Sequence, residues 1–366
     1  MKGLLWANIK KRPTRTIVSI FAVSLSVIMV LLFEGLTNGL IKDYAQRTKN
    51  TRADLFFQPP GSSLLFALNN ATMPYKIKDK LMEVPGIKYV APMIHQFNKK
   101  NFSLIFGIEP DSFNKVSGNG LIVVEGRIFK GGYECVVDDI YKKSHHTKLG
   151  DKIKILNHYF TVVGIFKSGV GARILVPLKT LQDLNDAHNK VSIFYIKCDT
   201  KKDIDRVYKY LKNTPPFKGY TVNKASNIYK LMTSSLPGLK EFTFVLIAVS
   251  VIISFFVILL TMYTTISERT REIGILKSLG ASKRYIIFMI LKEAITLTSV
   301  GLGLGIGLTY SVVRFLHKIK PSLPIEIQLK WIFIIIGLAL FSGVFGSFYP
   351  AFKAARQDPV DALTFE

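Results

Sequence analysis

The run Ser267-Glu-Arg-Thr-Arg-Glu-Ile-Gly-Ile-Leu-Lys-Ser-Leu-Gly-Ala-Ser-Lys-Arg284 gathers acidic, basic and apolar side chains between two strongly apolar segments. Without a metal, a nucleophile or a phosphate loop, these residue types supply docking chemistry only. Ile266, Ile273, Leu276 and Leu279 fall on one apolar stripe at helical spacing, with Glu268, Arg271 and Glu272 on the polar face. Gly280 is placed to end the helix. A basic flank of an apolar segment would explain the arginines, but not the two glutamates or the stripe. The segment therefore reads as a short interfacial helix that receives a push from another protein, through Glu268, Arg269, Arg271, Glu272, Ile273, Gly274, Leu276, Lys277 and Gly280.

Other candidates for chemistry are weaker. There is neither a Gly-x-x-x-x-Gly-Lys-Ser/Thr loop nor a dinucleotide fingerprint, so the chain has no ATPase or Rossmann site of its own. His145-His146 lacks any Cys/His spacing and reads as solvated loop. Ser62-Ser63 has no Gly-x-Ser-x-Gly elbow, which disfavours a hydrolase. Glu293, beside Lys292, is an acid inside an apolar segment, read either as a relay or as a local ion pair near the segment's end. No catalytic, cofactor or metal site is expected.

Four segments, 16–36, 242–263, 286–313 and 331–350, are long and apolar enough to cross a bilayer, as a 366-residue chain with 49% apolar residues allows. Lys2, Lys10, Lys11, Arg12 and Arg15 precede the first span in a short amphipathic segment, 1–15, and the span reads as a retained anchor. These residues, Arg269, Arg271, Lys277, Lys283 and Arg284, and then Lys353 and Arg356 fall on one side, so both termini are expected to be cytoplasmic. The coupling segment 264–285 and tail 351–366 share that side, and the loop 314–330 lies outside. In the third span, Gly301, Gly303, Gly305 and Gly307 give overlapping Gly-x-x-x-Gly spacings that let helices pack closely. The net charge of +24 is scattered Lys rather than an Arg-rich patch, so no nucleic acid is expected.

Residues 37–241 must form an outer domain on a helical stalk. Strands are expected at 53–58, 89–97, 102–108, 191–198 and 220–222, with helices over 77–83 and 202–211. Short β-branched runs separated by turns make 117–185 a β-rich insert. The fold class is thus an α-helical membrane protein with four transmembrane helices plus an extracytoplasmic α/β domain containing a β-rich insert. Cys135 and Cys198 lie in different strands; a disulfide is open to them but no framework exists.

Residues 268–281 (ERTREIGILKSLGA) resemble the hallmark of FtsX-like permeases, the MacB type of ABC transporter membrane subunit. The likeness extends to Arg15-Thr16, Gly126-Arg127, Leu149-Gly-Asp151, Val162-Val-Gly-Ile165, Tyr349-Pro-Ala351, Ala354-Ala-Arg356 and Asp358-Pro-Val-Asp-Ala-Leu363. It implies an FtsX-like permease domain over about 242–360 and a MacB-like outer domain in a bacterial inner membrane. It also implies a second permease copy or paralogue, membrane lipid around it, and a cytoplasmic ABC ATPase subunit that holds the ATP and Mg. A periplasmic adaptor or acceptor protein is a further implied partner. The layout is similar to the separate permeases of lipoprotein-release, heme-export and glycolipid or peptide export systems.

The resemblance implies export or extraction of an amphipathic or lipophilic substrate by mechanotransmission, with hydrolysis on a separate subunit. The alternative is a non-transporting signalling protein that activates a cell-wall hydrolase. The larger outer domain favours transport, and a membrane-anchored enzyme is disfavoured by the missing constellation.

Overall fold

Residues 13–62, 71–98, 103–234 and 237–358 are described in the computed structural model of the chain. The basic start Lys2, Lys10, Lys11 and Arg12, the terminal motif from Pro359, and Ser63, Phe102 and Leu236 lie outside them. The described chain forms two compact units. One contains residues up to 39, 238–318 and from 325 onward; the other contains 40–237 and 319–324.

Helix α1 (Pro13–Asn50) contributes to both. Its 38 residues span about 57 Å at 1.5 Å per residue, well beyond the ~30 Å apolar thickness of a bilayer. Its last turns bury Ile41, Tyr44 and Ala45 in the core of the outer unit.

In the outer unit, chain order runs β1 (Leu55–Gln58), β2 (Met73–Pro74), α2 (Ile77–Met82), β3 (Ile87–Asn98), β4 (Ser103–Ile108), α3 (Pro110–Ser117), β5 (Val123–Gly126) and β6 (Glu134–Asp138). It continues with α4 (Asp139–His145), β7 (Lys152–Ile155), β8 (His158–Phe166), β9 (Ile174–Pro177), α5 (Leu178–Leu184), β10 (Lys190–Val191), β11 (Ile193–Cys198), α6 (Asp203–Asn213), β12 (Thr221–Lys224) and α7 (Ile228–Ser234). Among the described residues, ten strands make one mixed sheet in the order β12-β1-β11-β3-β4-β9-β6-β8-β5, with β7 also on β8. β2 and β10 pair separately.

The β-rich insert is an extension of this sheet, because β9 pairs in parallel with β4 from Ile105↔Ile174 to Ile108↔Pro177. Alternation puts Leu55, Phe57, Ile105, Val176 and Phe194 on one face with Leu81, Leu181, Val207 and Leu211 of α2, α5 and α6. Phe56, Met93, Phe106, Leu175 and Tyr195 line the other face with Phe113 and Val116 of α3 and Met232 of α7. Each such fully buried Phe stabilises the fold by about 2–3 kcal/mol relative to an exposed one. The motif glycines of the insert are steric: a Cβ on Gly126 would collide with the Val163 carbonyl, and one on Gly164 with the Arg127 carbonyl.

Three helices here were not expected. In α4, Asp138 caps the N-terminus by accepting the Tyr141 N–H at 2.6 Å, so the Asp138-Asp139 pair starts a helix where the sequence suggests a turn. α3 begins with Pro110 at its first turn and ends on Gly118 in the left-handed conformation (φ 60°). α5 follows β9 directly. His145 and His146 close α4 rather than sitting in a loop, His146 at φ 52°.

The membrane unit contains the first part of α1 with α8 (Pro237–Glu268), α9 (Thr270–Ser278), α10 (Lys283–Ile319) and α11 (Leu329–Arg356). Among the described residues, α1, α8, α10 and α11 are long and apolar enough to cross a membrane. Small and hydroxyl residues bring them together. Ser19 and Thr261 share a hydrogen bond of 2.6 Å between α1 and α8, and Ser342 of α11 donates to the Val251 carbonyl of α8 at 3.2 Å. Gly343 faces Thr298 of α10 so closely that a Cβ would lie 2.5 Å from its Oγ1, and a Cβ on Gly346 would lie 2.8 Å from the Phe255 carbonyl.

Candidate functional site: an interfacial helix and a glycine face

α8 runs further than expected, to Glu268, and the chain bends at Arg269 (φ −108°, ψ 17°) before α9. α9 ends in a complete Schellman motif. Gly280, at φ 92°, donates to the Lys277 carbonyl and Ala281 donates to the Leu276 carbonyl, both at 3.0 Å. The left-handed conformation is the reason for glycine at this position.

The stripe containing Ile273 is turned into the chain's own core. Ile273 is buried with Ile258, Met262, Ile286, Ile290, Ala351, Ala354 and Ala355, and Ile266 and Leu276 pack against the same cluster. Gly274 is also buried. The small residues of the Tyr349-Pro-Ala351 and Ala354-Ala-Arg356 motifs form the floor on which α9 rests.

Two polar fastenings hold it there. Arg269 donates from Nε to Glu272 at 2.8 Å and from Nη1 to Glu293 at 3.3 Å, which makes Glu293 part of a local ion pair between α10 and the bend. Lys277 donates to the Ala355 carbonyl at 3.2 Å and to the Gln357 carbonyl, placing a cation on the open carbonyls at the end of α11.

The outward side carries Glu268, Arg271 and Glu272, together with Ile275 and Leu279, which are 45% and 80% exposed. Arg271, Ile275 and Leu279 stand at i, i+4 and i+8 and so share a face. The sequence signal that could have found Ile275 was its spacing to Leu279, hidden because Leu279 also fits the inner stripe. This face can dock a partner through apolar contact framed by charge, and it offers no group for bond-making chemistry.

The four glycines of α10 divide into two pairs. A Cβ on Gly301 would lie 2.9 Å from Val23 Cβ, and one on Gly305 would lie 2.8 Å from Val27 Cβ, both on α1. Ser24 donates to the Gly301 carbonyl at 2.8 Å within the same contact. Gly303 and Gly307 face open space, with nothing among the described residues within 4 Å of a Cβ on either. Ser299 and Ser311 are exposed at the same four-residue spacing.

Elsewhere the two cysteines are enclosed. Cys135 and Cys198 are free and buried, and burial pushes both thiols up to about 12. Among the described residues no group of three His, Cys, Asp or Glu is arranged to hold a metal ion. His145 stacks on Tyr141 at 4.1 Å.

Two family models cover most of the chain: the MacB-like periplasmic core domain over residues 16–214 and the FtsX-like permease C-terminal over 244–359. An ABC transporter permease of Methanocaldococcus jannaschii is 26% identical, over 98% of this chain and 96% of that protein. HrtB of Staphylococcus epidermidis, assigned by name to a hemin transport system as its permease, is 22% identical over 99% of both chains. MacB of Bartonella henselae, named a macrolide export ATP-binding/permease protein, is 23% identical over 96% of this chain, which spans 57% of its length. With one model over its first apolar helix and most of its outer unit and the other on its last three apolar helices, the chain belongs to the ABC transporter permease family of FtsX-like permeases with a MacB-like periplasmic core domain.

Proposed function

We propose that the chain is the permease subunit of an ABC transporter in the cytoplasmic, or inner, membrane. It couples ATP hydrolysis on a separate ATPase subunit, which holds the ATP and Mg, to export or extraction of an amphipathic or lipophilic substrate by mechanotransmission. Both termini and α9 are cytoplasmic, the MacB-like domain is outside, and a second permease copy or paralogue completes the assembly. An outer adaptor or acceptor protein would receive the substrate.

The observation that carries this reading is the fastening of α9. Ile273, Arg269 and Lys277 tie it to α8, α10 and α11, while Arg271, Ile275 and Leu279 remain available to a partner. A push on the exposed face would therefore reach three apolar helices at once. The relatives' names support the cargo class, since hemin and macrolides are both largely apolar molecules with polar groups.

The test is ATP hydrolysis by the partner subunit reconstituted with the permease. Ile275→Asp with Leu279→Asp abolishes the permease-dependent stimulation and leaves the permease's thermal stability unchanged, because both side chains are exposed before docking. Full stimulation by that double variant overturns the coupling role of α9.

A further inference from the structure

The outer unit holds a hollow of about 370 Å³ where three separate pieces of chain meet. The end of α1 and the turn after it supply Lys49, Asn50 and Arg52. The turn before β5 supplies Gly120 and Ile122, and the link from β8 to β9 supplies Lys167, Ser168, Gly169 and Val170. Among the described residues no carboxylate lines it.

These walls are pinned to one another. Asn50 donates from Nδ2 to the Gly169 carbonyl at 2.7 Å, and the Lys167 N–H donates to the Ile122 carbonyl at 2.8 Å. Lys197 donates to the Arg52 carbonyl at 2.9 Å. Arg52 itself is held at φ 55°, a left-handed conformation that a non-glycine residue adopts at a cost and only where its surroundings impose it. Gly169, at φ 108°, makes the opposing turn possible.

Lys49, Arg52 and Lys167 have no ion-pair partner among the described residues. The nearby acids are engaged elsewhere: Asp54 pairs with Lys197 at 3.1 Å, and Asp139 accepts the Ser168 N–H at 3.0 Å. Scattered surface lysine is common in a chain of net charge +24. Here, however, three cations line one concavity, Lys49 and Arg52 from one wall and Lys167 from another, and hydrogen bonds tie those walls together. Like charges brought together this way repel unless an anion sits between them. Several oxygens on one centre would satisfy ammonium and guanidinium donors together. Ile122, 54% exposed at the rim, adds an apolar contact for whatever the anion carries.

We propose that Lys49, Arg52 and Lys167 form a binding site for a phosphate-type anion, either free or as the head of an amphiphile. The site is independent of the cytoplasmic docking face and does not rest on the transport reading.

The test uses the full-length protein in neutral detergent and phosphate-free buffer, with calorimetric titration of inorganic phosphate, glycerol 3-phosphate and dihexanoyl phosphatidic acid. Saturable one-site binding of at least one probe is expected. Lys49→Ala, Arg52→Ala and Lys167→Ala should each weaken it at least tenfold, with Lys167→Gln as a milder second variant, and a Lys152→Ala control on β7 should leave it unchanged. Equal binding of all three probes identifies a free anion. Binding of the lipid alone, weakened by Ile122→Ser, identifies a headgroup. Absence of saturable binding for every probe, or an equal loss in the Lys152→Ala control, overturns the proposal.

Discussion

Arg47 of α1 and Asp138 at the end of β6 form a 2.9 Å ion pair in which the Asp138 side chain is wholly buried. Asp138 also takes the Arg173 guanidinium at 3.3 Å and the Tyr141 N–H at 2.6 Å. Arg47 and Arg173 both reach Asp43, at 3.0 and 3.4 Å, and Arg173 donates to the Ser322 carbonyl at 3.3 Å. One neutral cluster of two acids and two bases thus joins the last turns of α1, the sheet and residues 319–324 within the outer unit.

Burial raises the Asp138 carboxyl above its ordinary range against the opposing pull of Arg47 and Arg173. Breaking such a pair strands a charge. Asp138→Ala is expected to cost about 3–5 kcal/mol of stability by leaving two guanidiniums to share the single carboxylate of Asp43, with one positive charge uncompensated, and by leaving α4 uncapped. Thermal or chemical unfolding of the purified protein measures it, and a loss below about 1 kcal/mol would show that water replaces the carboxylate.

A second expectation concerns acid stability. His95 stacks on Phe106 at 3.8 Å, and burial pushes its imidazole down to about 3. In the unfolded chain a histidine titrates near 6.5, so between those values the unfolded state binds more protons. Stability therefore falls as pH falls from about 6.5 toward 3, by about 2 kcal/mol at pH 5 from this residue. Comparing unfolding at pH 7.5 and pH 5 in wild type and His95→Leu should show the acid loss shrinking by that amount in the variant.

Position 305 and position 303 are expected to behave differently although both are glycines of one helix. Gly305→Leu forces a side chain into Val27 and should destabilise the membrane unit by about 1–3 kcal/mol or more. A Cβ at position 303 has nothing within 4 Å among the described residues, so Gly303→Leu should change the stability by less than about 0.5 kcal/mol. If the second copy packs on the open Ser299, Gly303, Gly307, Ser311 stripe, Gly303→Leu should instead reduce self-association, read by cross-linking or light scattering in detergent. Unaltered assembly in that variant excludes the stripe as the contact between copies.

Topology is open to direct labelling, because Cys135 and Cys198 are buried and contribute little background. An impermeant maleimide applied to intact cells should modify Lys152→Cys in the outer unit and spare Arg284→Cys at the start of α10. The reverse pattern would invert the orientation.

Much of the framework was readable because local chemistry and final structure agree. The four apolar runs, the strand now at 193–198 and the stop at Gly280 each follow from composition, alternation or a required left-handed turn. The misses share a cause: a pattern states that a face is buried but not by what. Ile273 and Leu276 carry the periodicity of a docking stripe and serve as the seat of α9 on its own chain. Gly343 and Gly346 have no conspicuous repeat, yet they make contacts as close as those of Gly301 and Gly305. The short helices α4 and α5 were hidden within β-branched runs, since seven residues are too few to set a helical period.

The position of β1 bears on how the protein is made. β1 lies between β11 and β12, its antiparallel neighbours on both sides, and both come late in the chain. In the proposed topology the outer segment is delivered N-terminus first, so that Leu55, Phe56 and Phe57 emerge early and wait with both edges open until residues 193–198 and then 221–224 follow. Closure of such distant pairings is slow and leaves an apolar strand free to add to other chains. In that topology the rate of delivery across the membrane, and any holdase on the far side, becomes a determinant of yield.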